Sequence, residues 1–513
     1  MYNAVLACWL ILPTPRRWLK WIRNSVGFVG AVVLLYSESW LPSISSFFNN
    51  LDNLREFSVS YFADFFVSAI NWDMLSVLFV LLVLYYLAKD WINITAITSL
   101  IFLVGFVSPV LWQTIEPLLP ARSLVTVQSE NVQPTIVEKS ATESPKTELT
   151  AAKSLLSLDD WLSKFYADQM NQQVKFPDAL APDQKPFDLI FLNICSLAKD
   201  DLVASGINLQ SFEKHFDIVY ENFNSATSYS GPATIRLLRS ACGQRSHKRL
   251  YEGREPECEI MTQLEGIGFH PFLYMDHNGE FEDYIGGLRE RAGLSAPLSP
   301  IDRLPRQYTA FDGSGIVKDS AVFEKWLKDI EQMKGNSVTL FNLVSLHDGT
   351  RDELDKQSVP YKPRAELLLK DVESFMDALQ KTGRNIMLVF VPEHGAALRG
   401  DVVQMARLRD LPSRRITDIP VMVKFFGADM PLVENPVMIK GTSSYQSLSE
   451  MVKRVITSNF FGSKQTVGSI EKLTSNLPKT EWVAENSGSV VLERDGQDYI
   501  RIGDGQWLPY AKP

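Results

Sequence analysis

Cys195, Ser230, His347, Glu393 and His394 are the side chains whose types and surroundings point to a reaction. Ser230 stands in "NSATSYSGPATIRLLRSACG", residues 224–243, next to Tyr229 and two positions ahead of Pro232. A serine before a proline at a first helical turn is ordinary capping chemistry. The same hydroxyl aimed by a helix N-terminus is a nucleophile beside partial positive charge, suited to attack on a phosphate. What else converges on it has to decide.

The other groups follow three apolar runs with strand character. "FDLIFLNI" runs into Cys195, "SVTLFNLVSL" into His347-Asp348-Gly349, and "NIMLVFVP" into Glu393-His394-Gly395. In open parallel sheets, ligands bind in the crevice at the carboxyl ends of the strands. Cys195, Glu393 and His394, with the hydroxyl of Ser230, make a candidate tetrahedral site for Zn2+, which accepts S, N and O donors. Coordination lowers the pKa of a hydroxyl and makes it a nucleophile near neutral pH. Taken singly, each residue has a plainer explanation: Ser230 a cap, His347 a satisfied loop histidine. Their joint placement at strand ends favours the chemical one.

Those strands belong to an α/β pattern in the second part of the chain, with a mainly parallel sheet. A fourth strand is "IPVMVKFF", Ile419 to Phe426. A helix is expected over Arg364–Thr382, with Leu367, Leu368, Val372, Phe375, Met376 and Leu379 on one face. The tail, "SVVLERDGQDYIRIGDGQWLPY", holds two Asp-Gly turns between alternating runs and reads as a small antiparallel meander.

The 513 residues exceed what one folding unit usually holds, and the first part is far more apolar than the rest. Residues 24–41, 74–88 and 94–112 read as membrane spans, with Tyr85, Tyr86, Trp91 and Trp112 near ends, where aromatic belts form. Tyr2–Pro13 reads as a short or clipped span ahead of them, and residues 45–70 as an interfacial helix. Arg16, Arg17, Lys20 and Arg23 belong in the cytoplasm, which places everything after the third span outside it. The expected organisation is a membrane domain over 1–114, a Ser/Thr/Pro/Glu-rich linker over 115–154, and a periplasmic catalytic domain over 155–513. A formal charge of −9 and the lack of a basic, aromatic-laced stripe argue against a nucleic-acid partner.

Cysteine usage fits that compartment. Cys242 and Cys258, 16 residues apart in a loop, suit a disulfide in an oxidising space. Cys195 is then left without a thiol partner, and a metal-bound thiolate is a reason for it to persist there.

At these same residues, "LNICSL", "FNSATSYSGPATIRLLRSACGQRSH", "LVSLHDG", "VFVPEHGAALRGD" and "SRRITDIPVMVKFFG", the chain resembles the bacterial cellulose phosphoethanolamine transferases. These are membrane-anchored members of the alkaline phosphatase-like superfamily, encoded with the cellulose-secretion machinery. The likeness runs from the first membrane stretch to "WLPY". It implies an inner-membrane, multi-pass enzyme that moves phosphoethanolamine from phosphatidylethanolamine to the C6 hydroxyl of glucose in nascent cellulose. It further implies Ser230 as covalent nucleophile with Tyr229 beside it, and Cys195, Glu393 and His394 as zinc ligands. His347 would face the phosphoryl or leaving group, Arg409 in "ARLRDLPS" the phosphate, and His277 in "MDHNGEF" the substrate; Cys242 and Cys258 match a disulfide. Subunits of the cellulose synthase complex are implied partners. The family typically has about five spans, and this chain is expected to begin at or inside the second. Transfer to lipid A or another envelope glycan is the alternative acceptor chemistry, although the lipid A enzymes generally carry a carboxylate where Cys195 stands. A sulfatase or phosphatase of the superfamily is a further alternative, disfavoured because no "C-x-P-x-R" stretch surrounds Cys195 or Ser230; a non-catalytic scaffold is another.

Overall fold

A computed structural model describes residues 157–400 and 403–510, the helix α1 (Arg17–Glu38), and isolated positions near that helix and between 76 and 87. Contacts place α1 in one unit and everything described after residue 150 in another, and each is described by itself. α1 takes up most of the first expected span. Among the described residues, no helix is long and apolar enough to cross a membrane. The spans at 94–112 and most of 74–88, the interfacial helix at 45–70 and the linker at 115–154 lie outside the described residues.

The second unit is built on a seven-stranded sheet of order β10-β2-β9-β8-β1-β6-β3. Its strands are β1 (Asp188–Ile194), β2 (Ile218–Phe223), β3 (Phe269–Met275), β6 (Asn336–Leu343), β8 (Ile386–Phe390), β9 (Met422–Phe426) and β10 (Val437–Ser443). Between β3 and β8 in the chain, β4 (Arg306–Thr309), β5 (Gly315–Val317) and β7 (Arg351–Asp352) form a separate three-stranded sheet. The seven-stranded sheet is mixed: β9 runs antiparallel to both β2 and β8, while β8-β1, β1-β6, β6-β3 and β2-β10 are parallel pairs.

Burial on both faces explains why the central strands read as unbroken apolar runs. In β1, Leu189 and Phe191 point into one core, and Ile190, Leu192 and Ile194 into the other. After α2 (Leu158–Met170), the first core is roofed by α3 (Ser230–Leu238), α4 (Tyr284–Ala292) and a helix over Tyr445–Thr457. The second core is covered by helices over Asp319–Glu331 and Tyr361–Lys381. The latter buries Leu368, Val372, Phe375, Met376 and Leu379 as expected, but Leu367 is 37% exposed. The 3.6-residue period continues that face through Ala365, Leu368 and Leu369, which turns Leu367 towards solvent.

The C-terminal meander is present as β11 (Val483–Asn486), β12 (Ser489–Arg494), β13 (Gln497–Ile502) and β14 (Leu508–Tyr510), all antiparallel. Asp495 and Gly496 both have positive φ, 52° and 81°, which is the backbone that an Asp-Gly hairpin turn requires. The meander packs Val483, Val490 and Leu492 against Trp161, Leu162 and Phe165 of α2. Cys242 and Cys258 are joined in a disulfide.

Candidate active site

The sheet order places β8, β1 and β6 side by side and parallel, so the residues after them meet at one edge. Backbone pairing continues past the strand ends: Cys195 N–H donates to the Leu343 carbonyl at 2.8 Å, and Glu393 N–H to that of Ile194 at 2.8 Å. Ser196 then turns the chain with φ of 64°, a left-handed conformation uncommon outside glycine.

Ser230 is not the cap of α3 but its first helical residue; Tyr229 holds the cap position and its side chain caps nothing. The helix therefore starts two residues before Pro232. Ser230 Oγ lies 3.3 Å from Cys195 Sγ and 3.2 Å from His394 Nε2, and Cys195 Sγ lies 3.9 Å from the same nitrogen. Ligand atoms of Cys195, Glu393 and His394 all fall within 4.8 Å of one another, and the three side chains are fully buried.

The donor set fits a cation. Glu393 Oε1 accepts from Asn342 Nδ2 at 2.6 Å, Thr234 Oγ1 at 3.0 Å and Tyr284 OH at 3.2 Å. Its other oxygen, Oε2, is buried with no hydrogen-bond partner and sits 3.9 Å from His394 Nε2. A buried acceptor left without a donor is costly, and a metal ion satisfies it. His394 donates Nδ1–H to the Gly395 carbonyl at 2.9 Å, which leaves the Nε2 lone pair facing the cluster. Burial and the nearby Arg409 cation hold His394 well below the ordinary histidine range, in the neutral form that ligates metals. Burial and the Glu393 charge push the Cys195 thiol up to about 12, so the thiolate requires a cation beside it.

Other expected site residues take different stations. Arg409 stands at the rim, with Nη1 3.4 Å from Ser196 Oγ and 3.5 Å from the His394 ring. His347 stacks on Phe311 with 4.6 Å between centroids, and its Nδ1–H donates to the Asp348 carbonyl at 2.8 Å. Burial and Arg409 lower it to about 4. Tyr229 is 39% exposed and donates its hydroxyl to Asp410 at 2.7 Å. His277 lies one layer behind: its Nε2–H donates to Asn342 Oδ1 at 2.9 Å while Nδ1 accepts from Gly279 N–H at 3.1 Å. Both its nitrogens are thus engaged, and its link to the cluster runs through Asn342 to Glu393.

The family profile for the cellulose biosynthesis protein BcsG C-terminal domain matches residues 140–507, and that for the BcsG N-terminal domain matches residues 1–106. Cellulose biosynthesis protein BcsG of Salmonella typhimurium is 38% identical over 526 residues, spanning 100% of this chain and 92% of its own. The chain belongs to the BcsG family. The Escherichia coli BcsG is 37% identical with the same coverage. Solved structures of partly similar shape include an alkaline phosphatase superfamily protein from Vibrio parahaemolyticus (TM-score 0.48, 11% identity, 70% of this chain and 88% of that one). Another is the soluble domain of lipooligosaccharide phosphoethanolamine transferase A from Neisseria meningitidis (TM-score 0.40, 10% identity, 57% and 92%).

The cluster is held by further residues besides those that follow the strand ends. Thr234, Asn342, Tyr284 and Asn193 surround the Glu393 carboxylate or each other. Asn486 of the meander binds Thr227 and Ser228 on one side and the Arg409 and Asp410 carbonyls on the other. Two signals for them were in the sequence. Thr234 is four residues after Ser230, hence on the same helix face, and Asn193 and Asn342 interrupt otherwise apolar strands.

Proposed function

We propose that this chain transfers phosphoethanolamine from phosphatidylethanolamine to the C6 hydroxyl of glucose in nascent cellulose, through a covalent intermediate on Ser230. The observation that carries this reading is the position of Ser230 Oγ, 3.2 Å from His394 and 3.3 Å from Cys195, at the first residue of a helix. Membership of a family described by cellulose biosynthesis supports the acceptor. Cys195, Glu393, His394 and the Ser230 oxygen would hold zinc, which supplies positive charge that lowers the hydroxyl's pKa and offsets phosphoryl charge.

In the first half, the Ser230 Oγ–P bond forms as the bond from phosphorus to the diacylglycerol oxygen breaks. In the second half, the glucose O6–P bond forms, the Oγ–P bond breaks, and Ser230 regains its proton. The free N–H groups at the start of α3 face the attacked phosphate, and Arg409 at the rim binds its oxygens. His347 is the group for moving the proton. Its Nδ1–H is spent on Asp348, and it is neutral at neutral pH, so Nε2 takes a proton from each entering hydroxyl and returns it to the leaving oxygen. Tyr229, exposed next to the nucleophile, lines the approach to it.

The organisation that suits this chemistry is a membrane part over 1–114, a linker over 115–154 and a periplasmic domain from 155 on. Donor and enzyme then share a bilayer, which raises the effective concentration for the first step. Intact-mass measurement of the full chain after exposure to phosphatidylethanolamine tests the proposal. A gain of one phosphoethanolamine unit is expected, lost in Ser230→Ala; an adduct that persists in Ser230→Ala overturns it.

A further inference from the structure

A small cavity beside α3 is lined by Arg236, Arg239, Gln244, Arg245 and Tyr445, next to the disulfide at Cys242. Its volume, about 20 Å³, admits one water-sized or halide-sized occupant. The three arginines are 5%, 4% and 8% exposed. Arg239 and Arg245 share the Glu255 carboxylate, at 2.5 and 3.1 Å.

Arg236 has no such partner. Its Nη1 donates to the Arg245 carbonyl at 2.6 Å, whereas Nε and Nη2 are buried with no hydrogen-bond partner. These two N–H groups lie on the same edge of the guanidinium plane and form the fork that arginine presents to anions. The Tyr445 hydroxyl, also buried, has no partner either. Glu485 is the other carboxylate that acts on Arg236, but its Oε2 already accepts from Tyr166 OH at 2.7 Å and from His247 N–H at 2.6 Å. Glu255 thus serves Arg239 and Arg245, with Arg249 on its other oxygen at 3.0 Å, and no carboxylate is hydrogen-bonded to Arg236. One acceptor, Gln244 Oε1, also lacks a partner, while its Nε2 is fixed on the Val483 carbonyl at 2.8 Å.

We propose that this cavity binds a single small anion of the halide class, chloride in a salt-containing medium, held by Nε and Nη2 of Arg236 and the hydroxyl of Tyr445. The occupant neutralises a charge buried under the helix that carries Ser230. The small volume favours a monatomic anion over phosphate or a carboxylate.

Crystals of the full chain grown in bromide test this directly. A bromide anomalous peak against the Arg236 fork is expected; a peak absent there, with water alone in the cavity, overturns the proposal. In solution, replacing gluconate by chloride at constant ionic strength is expected to raise the melting temperature by about 2–4 °C once chloride exceeds its Kd several-fold. Arg236→Met is expected to lose that response, and a variant that keeps it places the anion elsewhere and overturns the assignment. Should Arg236→Met fail to fold, the bromide map of the unaltered protein decides.

Discussion

Thr234 Oγ1 lies 3.0 Å from Oε1 of Glu393, one helical turn along α3 from Ser230. A single nine-residue helix therefore fixes both the hydroxyl and the orientation of the carboxylate across from it. Thr234→Val is expected to weaken zinc binding by about 10–100-fold with the fold retained, as loss of a supporting contact does at metal sites. Titration against a competing chelator reads this out; an unchanged affinity removes Thr234 from that role.

Cys195→Ala is expected to reduce zinc in the purified full chain from near one equivalent to a trace, measured by elemental analysis. The thiol is pushed up to about 12 without a cation, so a metal ion that binds there would have to displace its proton. Apparent zinc affinity of the unaltered protein then rises about tenfold per pH unit through neutrality. An affinity independent of pH counts against thiolate ligation.

Asp276 and Asp319 face each other in the interior beyond β3, and burial raises both; the charge of Asp319 adds to the rise of Asp276, and that of Asp371 to the rise of Asp319, to about 7. The folded chain thus holds their proton more tightly than the unfolded chain does. That contribution is fully present below about pH 4 and is lost as pH rises through 7. Asp319→Asn is expected to flatten the decline between about pH 4 and 7 by up to about 1.4 kcal/mol per pH unit. Denaturant midpoints for both proteins across this window check it, and parallel slopes refute it.

Replacing Cys242 and Cys258 together by serine opens a loop closed over 16 residues. A loss of about 3 kcal/mol in unfolding free energy is expected in the chain-entropy account. Zinc content should stay unchanged in the folded protein, and a parallel loss of metal would tie this loop to the site.

The strand-end residues were legible because β1, β6 and β8 are buried on both faces, so their apolar runs stop abruptly where Cys195, His347 and Glu393 begin. The helix boundary was not: Pro232 marks a first turn, but only the backbone shows that Ser230 already belongs to it. The direction of β9 was hidden for a related reason, since an apolar run carries no sign of which way its neighbours point. The role of His277 needed three dimensions. Its partners Asn342 and Gly279 satisfy both ring nitrogens, and nothing local in "MDHNGEF" announces a pairing 65 residues away. The membrane runs were the plainest feature of the sequence and lie largely outside the described residues.

Because β9 lies antiparallel to β8, with Met422 opposite Phe390, the chain leaves and re-enters the sheet at the same rim. Residues 391–421 have no need to traverse the sheet's length, as a crossover helix would. That segment, which includes Glu393, His394 and Arg409, thereby starts and ends at the rim where the Ser230 cluster lies, so its length is not set by the length of the strands beneath it.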